Sequence, residues 1–359
     1  MLEFDFAALS LLGLTPVLAG RACGADPGAT TPLRLVRVTN VHRETLCVND
    51  GRTEHVARML PRLAKTLADD DAALVVGDWT LAVAEGNGEV WIAHRIEPTS
   101  QIMRCDADGR RHRVASNVDT ALLVMGLDAD FNPARMERYL ALVHAGGVAP
   151  VIVLTKADIA APEALETRVS MLRARIPSRI DIVSVNATNA CAAKALRAYT
   201  SRGQTLVLLG SSGVGKSTLV NTLLGAHVQD TGATRERDGR GRHTTTSRSL
   251  HLLPGGACVI DTPGVRTLRP QIGEEDLAAS FAEVEVLAAR CRFRDCSHAH
   301  EPGCAVRADM DADRLRNYHK LLREIRRDAQ SALDRQRQGA DWKARGRLAR
   351  ERIRAKRGG

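Results

Sequence analysis

Nine residues constrain this chain more than any others: Gly210, Ser211, Ser212, Gly213, Val214, Gly215, Lys216, Ser217 and Thr218, a complete G-x4-G-K-S run. It follows the apolar stretch 205–209 and precedes the helical run 218–224. In that setting the glycines let backbone N–H groups curl round phosphates. The helix start adds positive dipole, Lys216 reaches the β- and γ-phosphates, and Ser217 can ligate Mg²⁺. The alternative is a Gly/Ser turn with a surface lysine. Around it, apolar stretches 121–127, 151–154, 180–183, 205–209 and 257–260 alternate with helical segments, which predicts a parallel sheet with crossover helices. Asn132-Pro133 opens one of those helices and Pro162 the next.

Two further motifs end strands of this sheet. Asp261-Thr-Pro-Gly264 suits an aspartate that holds Mg²⁺ directly or through water, and the N–H of Gly264 suits a γ-phosphate. Upstream, Thr155, Lys156, Ala157 and Asp158 match the guanine-specificity motif of GTPases, usually N-K-x-D, with threonine in the first place. A carboxylate at Asp158 accepts two hydrogen bonds from guanine's ring N–H and exocyclic amine, a pair that adenine does not offer. Ser184-Val-Asn-Ala187 resembles the short supporting loop near the base. The order is unusual, because the base motif precedes the phosphate loop instead of following it. A domain with both motifs in this order is circularly permuted, which compact domains tolerate because their termini lie close together at the surface.

Between the phosphate loop and Asp261 lies 231–246, rich in Gly and Arg and ending in Arg242-His243-Thr244-Thr245-Thr246. Such a core-poor stretch is expected to be ordered by its ligand. One of the threonines completes the Mg²⁺ shell, and the sequence does not choose which. Thr245 joins Lys216 and His243 in the candidate catalytic set. Position Val265 is apolar where many GTPases carry the glutamine that orients the attacking water, so intrinsic hydrolysis should be slow. His243 is the candidate for that task, helped by Arg242, with contact to RNA or loop shaping as the alternative.

Outside the sheet, 34–97 reads as a small all-β unit with strands at 35–41, 45–48, 73–76, 80–84 and 89–96, plausible as a barrel. A polar connector follows at 98–116. Residues 1–33 are an uninformative extension whose apolar stretch has Glu3 and Asp5 where a secretory signal places positive charge. Glu274, Glu275 and Asp276 open a helix to about residue 290. Then Cys291, Cys296, His298 and Cys304 supply three thiolates and an imidazole within 14 residues, the usual structural zinc set, with His300 as a competitor to His298. The other five cysteines lack the spacing of a disulfide framework, which favours a reducing, cytoplasmic setting. No apolar run reaches the roughly 18 residues of a membrane-spanning helix.

The net charge of +9 is concentrated at one end. Residues 314–359 carry +11 and the remaining 313 residues sum to −2. A tail of that density is expected to meet a polyanion. The β unit is different, with 8 Lys/Arg against 10 Asp/Glu over 34–97 and only Trp79 and Trp91 aromatic. That is not the surface of a general single-strand binder, so RNA contacts there would be local, at Arg58, Arg62 and Lys65, unless these form a merely solvated face.

Taken in order, these motifs resemble ribosome small subunit-dependent GTPase A, a circularly permuted bacterial GTPase family, over about residues 34–320. The resemblance implies a multidomain α/β chain: an oligonucleotide-binding (OB) barrel at 34–97, a connector at 98–116, a permuted P-loop GTPase domain at 117–272, a zinc-binding helical domain at 273–320 and a basic tail at 321–359. It implies GTP, Mg²⁺ and one structural Zn²⁺ as cofactors, and the small ribosomal subunit with its RNA as partner of a cytoplasmic monomer. The implied activity is GTP hydrolysis late in maturation of that subunit, with binding in the GTP state and release after subunit-stimulated hydrolysis. Two rival classes are an RNA-binding factor that uses GTP only to fix its shape and a P-loop ATPase or kinase, the latter opposed by Asp158.

Overall fold

Five strands near the N-terminus close on themselves: Leu33–Val41, Leu46–Asn49, Glu54–Met59, Trp79–Ala84 and Val90–Arg95. The first three form an antiparallel meander. The third runs parallel to the fifth, the fifth is antiparallel to the fourth, and the fourth returns to the first. This is a five-stranded, OB-like closed barrel. A bulge between Val38 and Asn40 bends the first strand so that it serves both neighbours. Alternation along that strand decides two cores. Val36 and Val38 join Val48, Ala57 and Ile92 inside the barrel, while Leu33 and Leu35 join Trp79 and Leu18 in the larger core outside it.

The structure, a computed structural model, describes residues 2–25, 32–42, 45–84, 88–105, 111–226, 248–262 and 272–330, and the backbone of 269–270. Two compact units result, 1–104 with 111–271 and 105–110 with 272–359.

Three expectations about the first 116 residues are corrected. The run 73–76 is not a strand. Leu74, Val75 and Val76 fill core space, but Gly77 turns the chain at φ +93° and the Asp78 carboxylate accepts the Val75 N–H at 2.9 Å. The missing barrel strand is Glu54–Met59, followed by the helix Pro61–Asp69. The connector is itself structured, with strands Gln101–Cys105 and Arg111–Ser116 in a three-stranded sheet with Arg269–Pro270. The N-terminal extension forms the helices Phe6–Leu11 and Pro16–Gly24, and buries Leu9, Leu12, Leu14, Leu18 and Ala22. Its apolar character is that of core.

One buried side chain ties these parts together. Arg37, fully enclosed, donates to the carbonyl oxygens of Leu12 and Asn117 and to Thr205 Oγ1, and its guanidinium lies 5.5 Å from the Trp79 ring centre. Burial lowers its pKa, opposed by the charges of Asp119 and Asp78, and the ring of oxygens gives the guanidinium its hydrogen bonds.

The second sheet has the strand order Ile182–Ser184, Ala149–Thr155, Thr120–Gly126, Thr205–Leu209, Cys258–Asp261, Ser249–Leu252. The first five are parallel and the last is antiparallel. Its central strands are buried on both faces, as continuous apolar runs require. Ser249 pairs with Asn40, so the sheet and the barrel share one hydrogen-bonded path. The second unit, described by itself, contains the helices Glu274–Ser280, Ala282–Ala288 and Ala305–Asp309 and a helix over 312–330. There Arg314 bonds Glu283 and covers the Phe281 ring at 4.6 Å, and Phe281 meets Tyr318 edge-on at 5.5 Å.

Candidate nucleotide site and metal cluster

Thr155, Gly210 and Asp261 are far apart in sequence but sit at the carboxyl ends of three strands of one parallel sheet, the edge where open α/β sheets bind ligands. Thr205–Leu209 ends in Gly210, whose missing side chain leaves only 2.4 Å between a would-be Cβ and the carbonyl oxygen of Val124. Gly213 and Gly215 follow with φ of +81° and +95°. Gly215 caps the helix Lys216–Leu224 without a side-chain acceptor, so that helix's first N–H groups are not used by a cap.

The lysine and the aspartate of the site face each other. Lys216 Nζ donates to the carbonyls of Gly210 at 2.9 Å and Ser211 at 2.7 Å. Burial pulls its pKa down to about 8, against the opposing charges of Asp261 and Asp130. Asp261 is fully buried, and neither carboxylate oxygen has a hydrogen-bond partner among the described residues. Burial pushes its carboxyl up to about 6, opposed by the Lys216 charge and, more weakly, by the nearby Thr262 N–H, which falls short of hydrogen-bond geometry. Two orphaned oxygens in a buried carboxylate beside a phosphate loop are what a hard divalent cation takes, so the residues fit Mg²⁺.

Thr155 is buried, and its Oγ1 donates to the carbonyl of Val214 at 2.5 Å. The strand that precedes Asp158 is thereby tied to the phosphate loop by the residue that departs from N-K-x-D. Lys156 adopts φ +61° and pairs with Asp128 at 2.6 Å. Asp158 is exposed at the rim. The 184–187 loop supports both sides. Val185 accepts from Ala157 N–H at 3.3 Å, and Ala187 O accepts the Thr222 hydroxyl at 2.6 Å.

Sequence reasoning missed a group on the other side of the loop. Arg135, in the first turn of Pro133–Ala145, donates through Nη1 to Ser211 Oγ and to Asp130 Oδ1, each at 2.5 Å. Tyr139 shares a further hydrogen bond with Ser211. Only the Asn132-Pro133 helix start hinted at it, by aiming that first turn at the carboxyl edge. His243, Thr245, Arg242, Thr244, Thr246, Gly264 and Val265 lie outside the described residues.

In the second unit the ligand atoms of Cys291, Cys296, His298 and Cys304 all lie within 4.8 Å of one another. Cys291 Sγ is 3.9 Å from Cys304 Sγ and 3.7 Å from His298 Nδ1, which is 3.5 Å from Cys304 Sγ. Donors bound tetrahedrally at about 2.0–2.3 Å lie roughly 3.5–3.8 Å apart, so the cluster could hold a metal ion. His300, the competitor, is not in the set. Glu301 staples the loop, accepting from Ser297 N–H and Oγ, Ala299 N–H and His300 N–H at 2.5–3.1 Å. Hydrogen bonds from that hydroxyl and those amides hold its carboxyl far below the usual range.

Known proteins match this architecture. A protein named small ribosomal subunit biogenesis GTPase RsgA, from Xanthomonas axonopodis pv. citri (strain 306), is 48% identical over 298 residues, which cover 80% of each chain. The chain belongs to the RsgA GTPase family. The family model described as RsgA GTPase matches residues 96–271. The relative of the same name from Xanthomonas oryzae pv. oryzae (strain MAFF 311018) is 47% identical over 298 residues, 80% of each chain. Two solved structures share the fold. YjeQ from Thermotoga maritima has a TM-score of 0.59 at 23% identity over 82% of this chain and 98% of its own. YloQ, described as a circularly permuted GTPase, has a TM-score of 0.55 at 23% identity over 82% and 95%. The permutation read from motif order is therefore a property of the fold, and the chain is a GTPase. Membership of the RsgA family carries with it the use of GTP and Mg²⁺.

Proposed function

We propose that this GTPase acts late in maturation of the small ribosomal subunit, binding the subunit in its GTP state and leaving after subunit-stimulated hydrolysis. The observation that carries the reading is 48% identity over 80% of a relative named for small-subunit biogenesis. The convergence of Thr155, Lys216 and Asp261 at one sheet edge supports it.

In this reading residues 210–218 hold the phosphates, Thr155–Asp158 select guanine, and Ser217 with Asp261 would hold Mg²⁺, which would supply charge neutralisation to the phosphates. Lys216 gives up the Gly210 and Ser211 carbonyls for phosphate oxygens, and Thr155 keeps the base strand and the phosphate loop in register. His243 orients the attacking water, with contact to RNA or loop shaping as its alternative role, Thr245 belongs to the same catalytic set, and the Gly264 N–H meets the γ-phosphate. Cys291, Cys296, His298 and Cys304 hold one structural Zn²⁺, the donor set that a closed site uses. The barrel spans 34–97, the connector 98–116, the GTPase domain 117–272, the zinc domain 273–320 and the tail 321–359. Partners are the subunit and its ribosomal RNA, reached by a cytoplasmic monomer through the basic tail and the exposed Arg58, Arg62 and Lys65. Among the described residues no helix is long and apolar enough to cross a membrane.

The test is GTP turnover with and without purified small subunits, large subunits and free RNA. Stimulation by small subunits alone is expected. Equal stimulation by large subunits, or none by either, would remove the proposed partner.

A further inference from the structure

We propose that Arg135 is a positioning residue for GTP binding, locked by Asp130 and holding the phosphate loop in its binding shape through the hydroxyl of Ser211. The inference rests on the reading that 210–218 holds the phosphates.

Two cations grip Ser211 from opposite ends. Lys216 takes its carbonyl at 2.7 Å, and Arg135 takes its Oγ at 2.5 Å. These grips have different fates when a nucleotide enters. Lys216 must leave the carbonyls of Gly210 and Ser211 to reach phosphate oxygens, so the loop loses one anchor at the moment its shape matters. Arg135 is not spent in that exchange. Its Nη1 also bonds Asp130 Oδ1, and its backbone N–H is received by Asn132 Oδ1 at 3.0 Å, which fixes its place in the first turn of the helix. Ser211 is 5% exposed, so this contact is shielded from solvent.

The loop needs such an anchor. Gly213 and Gly215 lie at positive φ, where glycine is favoured but has most freedom to lose. Ser211 is the buried non-glycine residue at the loop's start, and fixing it reduces the ordering that binding requires. Asp130 has a second task. It is one of two carboxylates whose charge acts on Lys216, so Arg135, by fixing Asp130 Oδ1, also fixes where that charge sits. Its Oδ2 is buried with no hydrogen-bond partner among the described residues, so nothing on that oxygen competes with Arg135 for the carboxylate.

The test is a double-mutant cycle read by equilibrium binding of fluorescent GTP and GDP to the full chain, with turnover at saturating GTP beside it. Arg135→Ala should raise the Kd for both nucleotides about tenfold, the loss of one charge-assisted hydrogen bond. Ser211→Ala, which also removes the Tyr139 hydrogen bond, should weaken binding at least as much, and adding Arg135→Ala to it should cost little more, because the contact they share is already gone. Arg135→Lys keeps a cation for Asp130 and should recover part of the loss. The loss should be read in Kd, with turnover at saturating GTP falling by a smaller factor than affinity does. Additive losses, or wild-type affinity in a folded Arg135→Ala protein, would overturn the inference while leaving the nucleotide site intact. A fall in turnover with unchanged Kd would also overturn it, assigning Arg135 to the reacting phosphate instead. Lys216→Ala is the control for the underlying reading. If it binds GTP as wild type does, both the phosphate-loop reading and the role of Arg135 fall.

Discussion

Asp261 is held at a cost to the folded chain. Its carboxyl titrates at about 6 in the fold against 3.8 normally, because burial disfavours the anion more than Lys216 and the Thr262 N–H favour it. A raised carboxyl pKa means that the folded state holds the proton longer than the unfolded one. The part of stability linked to Asp261 is therefore full below about pH 4 and is lost as pH rises through about 6. The shift corresponds to roughly 3 kcal/mol at neutral pH. In the absence of nucleotide and Mg²⁺, Asp261→Asn should stabilise the protein by up to that amount at about pH 7.5, with the gain vanishing near pH 4. Urea unfolding at the two pH values checks it, and an equal gain at both would rule out the titration of Asp261 as the cause. Added Mg²⁺ with GTP should stabilise the wild type more than the variant, since binding to the folded state alone raises stability.

At the level of elements, the loop of the Cys/His cluster is shaped by Glu301, which is not one of its four candidate ligands. Its carboxylate gathers three backbone N–H groups and the Ser297 hydroxyl around His298, whose own φ of +61° is a conformation the loop must enforce. Glu301→Ala should lower metal affinity roughly 10–100-fold, as loss of a ligand-orienting partner does. Competition with a chromophoric chelator measures it, and unchanged affinity would mean that the four ligands need no staple. Elements with a strong local signature were legible in the sequence. Thr205–Leu209 is an apolar run stopped by glycine, and Pro162–Arg173 opens on its proline. Glu54–Met59 was not legible, because its outward face carries Glu54, Val56 and Arg58 and only the small Ala57 is fully buried on the inner one. The 73–76 run misled for the opposite reason, being apolar enough for a strand but serving as core under a Gly77 turn. At the site, motifs named the phosphate loop and the cysteine cluster. No local pattern could reveal a contact between Arg135 and Ser211, which are 76 residues apart.

For the whole molecule, charge is distributed unevenly. Residues 331–359 carry ten Lys/Arg and three Asp/Glu, whereas the barrel and GTPase sheet bury their apolar cores in a nearly neutral body. Deleting 331–359 should flatten the salt dependence of binding to small subunits, because fewer phosphate counterions are released. GTP affinity should be unaltered. Sedimentation binding at a series of salt concentrations provides the slope, and an unchanged slope would move the RNA contact elsewhere. The pairing of Ser249 with Asn40 bears on a more practical matter. Ser249–Leu252 is the last strand of the GTPase sheet, and the barrel's first strand meets it at Ser249, the end opposite the half-exposed Leu252. A GTPase domain expressed without the barrel would present that strand as an open edge, ready to pair with its own copies. It would also lose the buried Arg37 contact to Thr205 at the foot of the phosphate-loop strand. The smallest fragment expected to stay monodisperse therefore begins at the N-terminal helices, and trimming it to the motif-bearing domain should yield aggregates instead of a minimal enzyme.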